Sequence, residues 1–179
     1  MPEKDHEETA IYCHLTCIKI KGRRPAKRIS ALLTDVYKKD KHNKFTSKFV
    51  GGPIPLHRQY ECVNNEYFCA FPTLRGDGIV FDLARLSRTK KGSNSKLELE
   101  LRTHVNLPRT IFKLQEQGEI IATVMAVSDE TVSKKQHIKI RWNGEWPESE
   151  DNIQNCLKFE EISDETLENL NQCTTNVSS

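Results

Sequence analysis

Residues 97–102 read Leu-Glu-Leu-Glu-Leu-Arg. Side chains along a β-strand alternate between two faces, so Leu97, Leu99 and Leu101 share one side while Glu98, Glu100 and Arg102 share the other. One face must be buried and the other solvated, which is the pattern of an antiparallel sheet rather than of a parallel sheet covered on both sides. The preceding Lys90–Ser95, KKGSNS, is rich in turn formers. The run Ile79–Leu86 ahead of it reads as a second strand.

The same reading extends outward. Ala10–Lys21, AIYCHLTCIKIK, places Ile11, Cys13, Leu15 and Cys17 on one strand face and Ile18 and Ile20 on the other, a change of phase that predicts a bulge near Cys17. Ile29, Leu32, Leu33 and Val36 fall at helical spacing and end on Lys38 and Lys39. That favours a short helix, with a buried strand over 29–37 as the rival. Tyr60–Phe71 reads as two short strands around Asn64-Asn65, and Arg75-Gly76-Asp77-Gly78 as a turn. Ile111–Leu114 and Glu119–Val127 are expected to form a hairpin around Gly118. Ile138, Ile140 and Trp142 alternate with Lys139 and Arg141 before the hairpin signal Asn143-Gly144.

Many short strands with turn signals predict a mainly β chain: an antiparallel β-sandwich or partly open barrel of C2/Ig-like architecture, with one or two short helices. A single β-rich domain is expected over residues 9–160. It is flanked by a charged N-terminal tail, 1–8, and a flexible acidic and polar C-terminal tail, 161–179, in which Leu167 and Leu170 are the strong apolar residues. The order of a basic first strand, a charged connector, an aromatic middle and Ile79-Val80-Phe81-Asp82 resembles C2-type sandwiches over the middle half of the chain. The Asp set with which calcium-binding members hold their ion is absent, since only Asp77 and Asp82 lie near one another. Calcium is therefore not expected, and no family is assigned.

Residues 1–9 contain no apolar run, and no stretch reaches the ~20 apolar residues of a membrane span. A cytoplasmic or nuclear location is expected on that ground. There Cys13, Cys17, Cys62, Cys69, Cys156 and Cys173 stay reduced. A zinc site on Cys13, His14 and Cys17 would need a second ligand pair from Cys62 and Cys69, and the spacing is wrong for a finger. Two buried core thiols are the simpler reading. No nucleophile, phosphate-loop or metalloprotease motif is present, and His57, His104 and His137 stand singly. No catalytic residue, cofactor or metal is expected, and the chain is read as a non-enzyme.

The net charge is only +2, but it is unevenly spread. Residues 19–48 hold eleven Lys/Arg against two Asp, whereas 145–168 hold nine Asp/Glu against Lys158 alone. Lys19, Lys21, Arg23, Arg24, Lys27 and Arg28 cluster around a Pro-containing turn, a grouping suited to phosphate or carboxylate. Between Lys19 and Lys44 only Tyr37 could stack on a base. The first expectation is thus a protein–protein interaction module, an adaptor or complex subunit that uses a sheet edge or its loops. The alternative is nucleic-acid or anionic-phospholipid binding through that basic patch, extended by Lys38, Lys39, Lys41 and Lys44.

Overall fold

The computed structural model describes residues 6–17, 27–40, 42–48, 52–58, 78–91, 94–103 and 113–172. Among the described residues eleven strands make two antiparallel sheets that do not close into a barrel. In the first sheet β1 (His6–Cys17) pairs with β6 (Ile79–Lys91), β6 with β7 (Asn94–Leu101), and β7 with β8 (Lys113–Leu114). The short β5 (His57–Arg58) also pairs with β6. The second sheet runs β11 (Leu157–Ile162), β10 (Gln136–Trp142), β9 (Gly118–Val127), β2 (Ser30–Lys39), β3 (Phe45–Ser47), with β4 (Ile54–Pro55) also on β2. Only α1 (Ile153–Cys156) and α2 (Asp164–Gln172) are α-helical among the described residues.

One apolar layer joins the sheets. Leu83, Leu86 and Leu99 from the first meet Leu33, Val36, Ile120, Ile140 and Trp142 from the second, and all are essentially inaccessible to water. The Leu-Glu-Leu-Glu-Leu segment behaves as its alternation requires: Leu99 and Leu101 are buried while Glu98 and Glu100 face outward. Lys90 pairs with Ser95 and Lys91 with Asn94, so β6 and β7 run well into the stretch 90–95 that reads as a turn.

Residues 30–39 are strand, not helix. Helical spacing arises here from a bulge. The β2–β9 register passes from Leu33↔Val124 to Asp35↔Thr123, so Thr34 is an extra residue. Ala31, Leu33 and Val36 therefore all turn inward, although the last two are three residues apart. A second extra residue, Leu83, lies opposite Cys13/His14, so the register shift falls there rather than at Cys17. Both Leu83 and Ala84 are consequently buried. Ile18, Ile20, the Tyr60–Phe71 strands and the 75–77 turn lie outside the described residues.

The expected hairpin around Gly118 does not form. β8 pairs with β7 and β9 with β10 and β2, so residues 115–117 carry the chain from one sheet to the other. Gly118 sits where Leu114 folds over it: a β-carbon there would lie 3.2 Å from Leu114 Cδ2. Asn143-Gly144 does turn the chain, with Gly144 at φ +87° and Asn143 N–H donating to Cys156 O (3.0 Å), but β11 begins only at Leu157. β10 and β11 are thus a hairpin with a structured connection.

The acidic C-terminal segment contributes to the fold. β11 reaches Ile162, and Ser163 caps α2 by accepting the Thr166 N–H on its hydroxyl (3.1 Å). Leu167 is 6% exposed and packs with Phe45, Ile121 and Ile162 on the outer face of the second sheet. Two leucines three residues apart suffice to dock a nine-residue helix that could not hold together alone. Residues 173–179 lie outside the described set.

Candidate interaction edge

A sheet edge presents unpaired N–H and C=O groups, and proteins guard such edges with brevity, proline or exposed charge. Among the described residues three of the four outer edges carry several of these devices. β8 is two residues long, β3 and β4 are three and two with Pro55 in β4, and β11 exposes Lys158, Glu160 and Glu161. β1 differs. It runs for 12 residues without Lys, Arg or Pro, its exposed carboxylate Glu8 lies near its N-terminal end, and among the described residues only β6 pairs with it.

The side chains of β1 divide cleanly. Ile11, Cys13, Leu15 and Cys17 pack against the core from the inner face. Burial pushes the Cys13 thiol up to about 11 and raises that of Cys17. That is the behaviour of core thiols, and among the described residues no three His, Cys, Asp or Glu side chains gather to hold a metal. Cys156 is buried as well.

On the outer face the charges of β1 are engaged sideways with its own sheet. Glu8 pairs with Arg85, and His14 Nδ1 lies 2.9 Å from Asp82 Oδ1. Arg85 also lies 5.8 Å from the Tyr12 ring centre and reaches Glu100 at 3.5 Å. The row continues across the sheet: Lys113 sits 3.0 Å from Glu100 and also pairs with Glu98, which Lys96 approaches at 3.4 Å. Burial alone would raise the Glu98 and Glu100 carboxyls, but the hydrogen bonds and positive charges around them, Lys113 foremost, together outweigh it and hold both below the usual range. Burial would lower Lys113, and the same bonds lift it instead. Tyr12 is left 44% exposed, one of three large apolar side chains so displayed among the described residues.

The basic patch is only partly in view. Lys19, Lys21, Arg23 and Arg24 lie outside the described residues. Lys27 and Arg28 are exposed where the chain enters β2, with Arg28 at φ 53°. The Lys27 N–H donates to Glu130 Oε2 (3.2 Å), and its carbonyl accepts from Asp129 N–H (3.1 Å). Lys38 and Lys39 are remote from Lys27 and Arg28. They stand at the other end of β2, about 30 Å away along the strand. There Lys38 Nζ donates to Lys113 O (2.7 Å) and Lys39 pairs with Glu119 (3.3 Å). Lys44 donates its N–H to Asp40, and Lys41 is outside the described residues.

His137 joins a relay that a sequence pattern could not reveal. Its Nδ1 lies 2.8 Å from Thr123 Oγ1 and its Nε2 2.7 Å from Asp164 Oδ1. The order hydroxyl, imidazole, carboxylate is that of a nucleophile relay, yet its direction is reversed. Thr123 is 2% exposed beneath the sheet surface, while the Asp164 side chain is 86% exposed. A hydroxyl so enclosed has no room for a substrate atom. The relay fastens the first residue of α2 to β10. His57 stands directly across from Asp82 on the side opposite His14.

No known protein family matches the chain, and neither does any curated protein or any solved structure.

Proposed function

We propose that this chain is a non-enzymatic interaction module that binds a protein partner by strand addition along β1. The observation that carries the reading is the contrast among the edges of the described residues: three are short or carry proline or several exposed charges, whereas the longest has no Lys, Arg or Pro and shows its exposed carboxylate, Glu8, near its N-terminal end. Strand addition draws affinity from main-chain hydrogen bonds and specificity from alternate side chains. β1 has both elements, a row of backbone groups that no second strand among the described residues pairs, and an exposed Tyr12. Glu8 and His14 are turned along the sheet toward Arg85 and Asp82, so they leave the edge approachable.

A photo-cross-linking side chain at Tyr12, compared with one at the exposed Phe159 of β11, tests the reading in nuclease-treated extract of the source cells. The expected result is a protein adduct from position 12 that is lacking at position 159. Equal adducts, or none, would refute edge binding. Adducts that vanish with nuclease would instead favour the basic residues Lys19–Arg28 acting on nucleic acid, a binding that should weaken steeply with salt.

A further inference from the structure

We propose that the partner of β1 is a second copy of the same strand, paired antiparallel about a two-fold axis through Ile11; this inference rests on the edge reading above.

Residues directly opposite in an antiparallel pair share a face, so an outward residue of one β1 must meet an outward residue of the other. With Ile11 opposite Ile11, Glu8 faces His14 of the second copy, and Ala10 faces its Tyr12. Symmetry makes each of these contacts twice, as an isologous interface requires. Size and hydrogen-bonding capacity are both complementary. The large Tyr12 ring falls beside the smallest side chain of the strand, and a carboxylate falls beside an imidazole. The register moved along by one pair, centred on Tyr12, would set two exposed tyrosines face to face. It would also put Glu8 opposite Thr16, losing both matches.

The charges already in place favour the first register. Along the outer face of one chain Lys113, Glu100, Arg85 and Glu8 alternate in sign. In the second copy His14 is already held against Asp82. Joining Glu8 to that His14 sets the imidazole between two carboxylates, Glu8 of one chain and Asp82 of the other. On the inner face Ile11 meets Ile11, adding an apolar contact beside the core layer. The result is one continuous sheet built from the first sheets of both chains, with neither β1 edge left open.

Glu8 and His14 lie six positions apart on a straight strand, about 20 Å, so they cannot touch within one chain. A mixing experiment exploits this. His14→Glu and Glu8→Lys are made separately in the full chain, and sedimentation velocity is run from micromolar to hundreds of micromolar. Wild type should self-associate, and each variant alone should associate about tenfold more weakly, because two symmetric cross-strand pairs become repulsive. An equimolar mixture should form heterodimers more strongly than either variant forms homodimers. In the mixed pair the carboxylate introduced at position 14 of one chain meets the ammonium introduced at position 8 of the other. The second contact keeps its natural partners, Glu8 against His14, so both are attractive again. Heterodimer recovery also certifies that each variant is folded.

A wild-type chain that stays monomeric, or one whose association ignores both substitutions and their mixing, would overturn self-pairing. The edge reading fails separately. If the chain is monomeric but Tyr12 cross-links to a different protein, strand addition stands and only the self-partner falls. If Tyr12 captures nothing, both fall.

Discussion

Replacing Leu167 with Ala should release α2 without unfolding the sandwich. Leu167 is 6% exposed and is the one fully inserted side chain of the helix, lying among Phe45, Ile121 and Ile162 with Leu170 and Tyr37 at the rim. Truncating a buried leucine costs about 2–5 kcal/mol, and a site near the surface falls toward the lower end because it can collapse. What remains is the rim contact of the partly buried Leu170 and the tether from Asp164 to His137, made by a carboxylate that is 86% exposed, so the two add little. A loss of about 2–3 kcal/mol corresponds to local opening roughly 30- to 150-fold more frequent. Hydrogen exchange with fragment mass spectrometry reads this directly: amides of 164–172 should accelerate by that factor while those of β9 and β10 keep their rates. Equal acceleration in α2 and β9 would refute the reasoning, since it would make α2 part of the global unit. Unchanged exchange in α2 would refute it too, by showing that the helix does not depend on Leu167.

Three further outcomes follow from the geometry. Glu98 and Glu100 are held below the usual carboxylate range and Lys113 above the usual lysine range, so their mutual stabilisation is complete between about pH 4.5 and 10.5. It is lost as pH falls through the folded carboxyl values or rises through that of Lys113; Lys113→Met should flatten both limbs of a melting-temperature profile. Cys13, raised to about 11 from 9.0, should be alkylated near pH 8 about a hundredfold more slowly than the same residue in an unfolded peptide, as peptide mapping would show. Gly78→Ala should destabilise by about 2 kcal/mol or more in a denaturant titration. Its φ of +87° is left-handed, and the added carbon would lie 2.7 Å from Thr16 Cγ2 and 3.0 Å from Cys17 O.

Where one period governs a segment, the sequence could be read directly. Leu97–Leu101 and Ile138–Trp142 needed only alternation, and both are strands with the expected buried face. Thr34 marks where such reading stops. One inserted residue turns a two-residue period into a three-residue step, which is indistinguishable from a helix within nine positions. The false hairpin around Gly118 has another cause: the chain changes sheets there, and a local pattern carries no information about which sheet a strand joins. Leu167 and Leu170 were visible, but their receptor is Phe45 and Ile121, far off in sequence. The same non-locality hid the candidate site. Composition shows that residues 6–17 lack Lys, Arg and Pro, whereas edge status follows only from strand order. The relay through His137 likewise joins three separate segments.

The bulge at Thr34 also bears on how the chain reaches its fold. β2 sits between β9 and the β3 and β4 strands, and Thr34 donates to the carbonyl of Thr123, 89 residues away. Its native contacts therefore cost a long loop closure, while its own apolar spacing draws the segment toward a helical turn in the meantime. Local and global preferences disagree at the strand around which the second sheet assembles. β2 should dock late, after β9 and β10 have formed their hairpin, and that docking should set the pace of refolding.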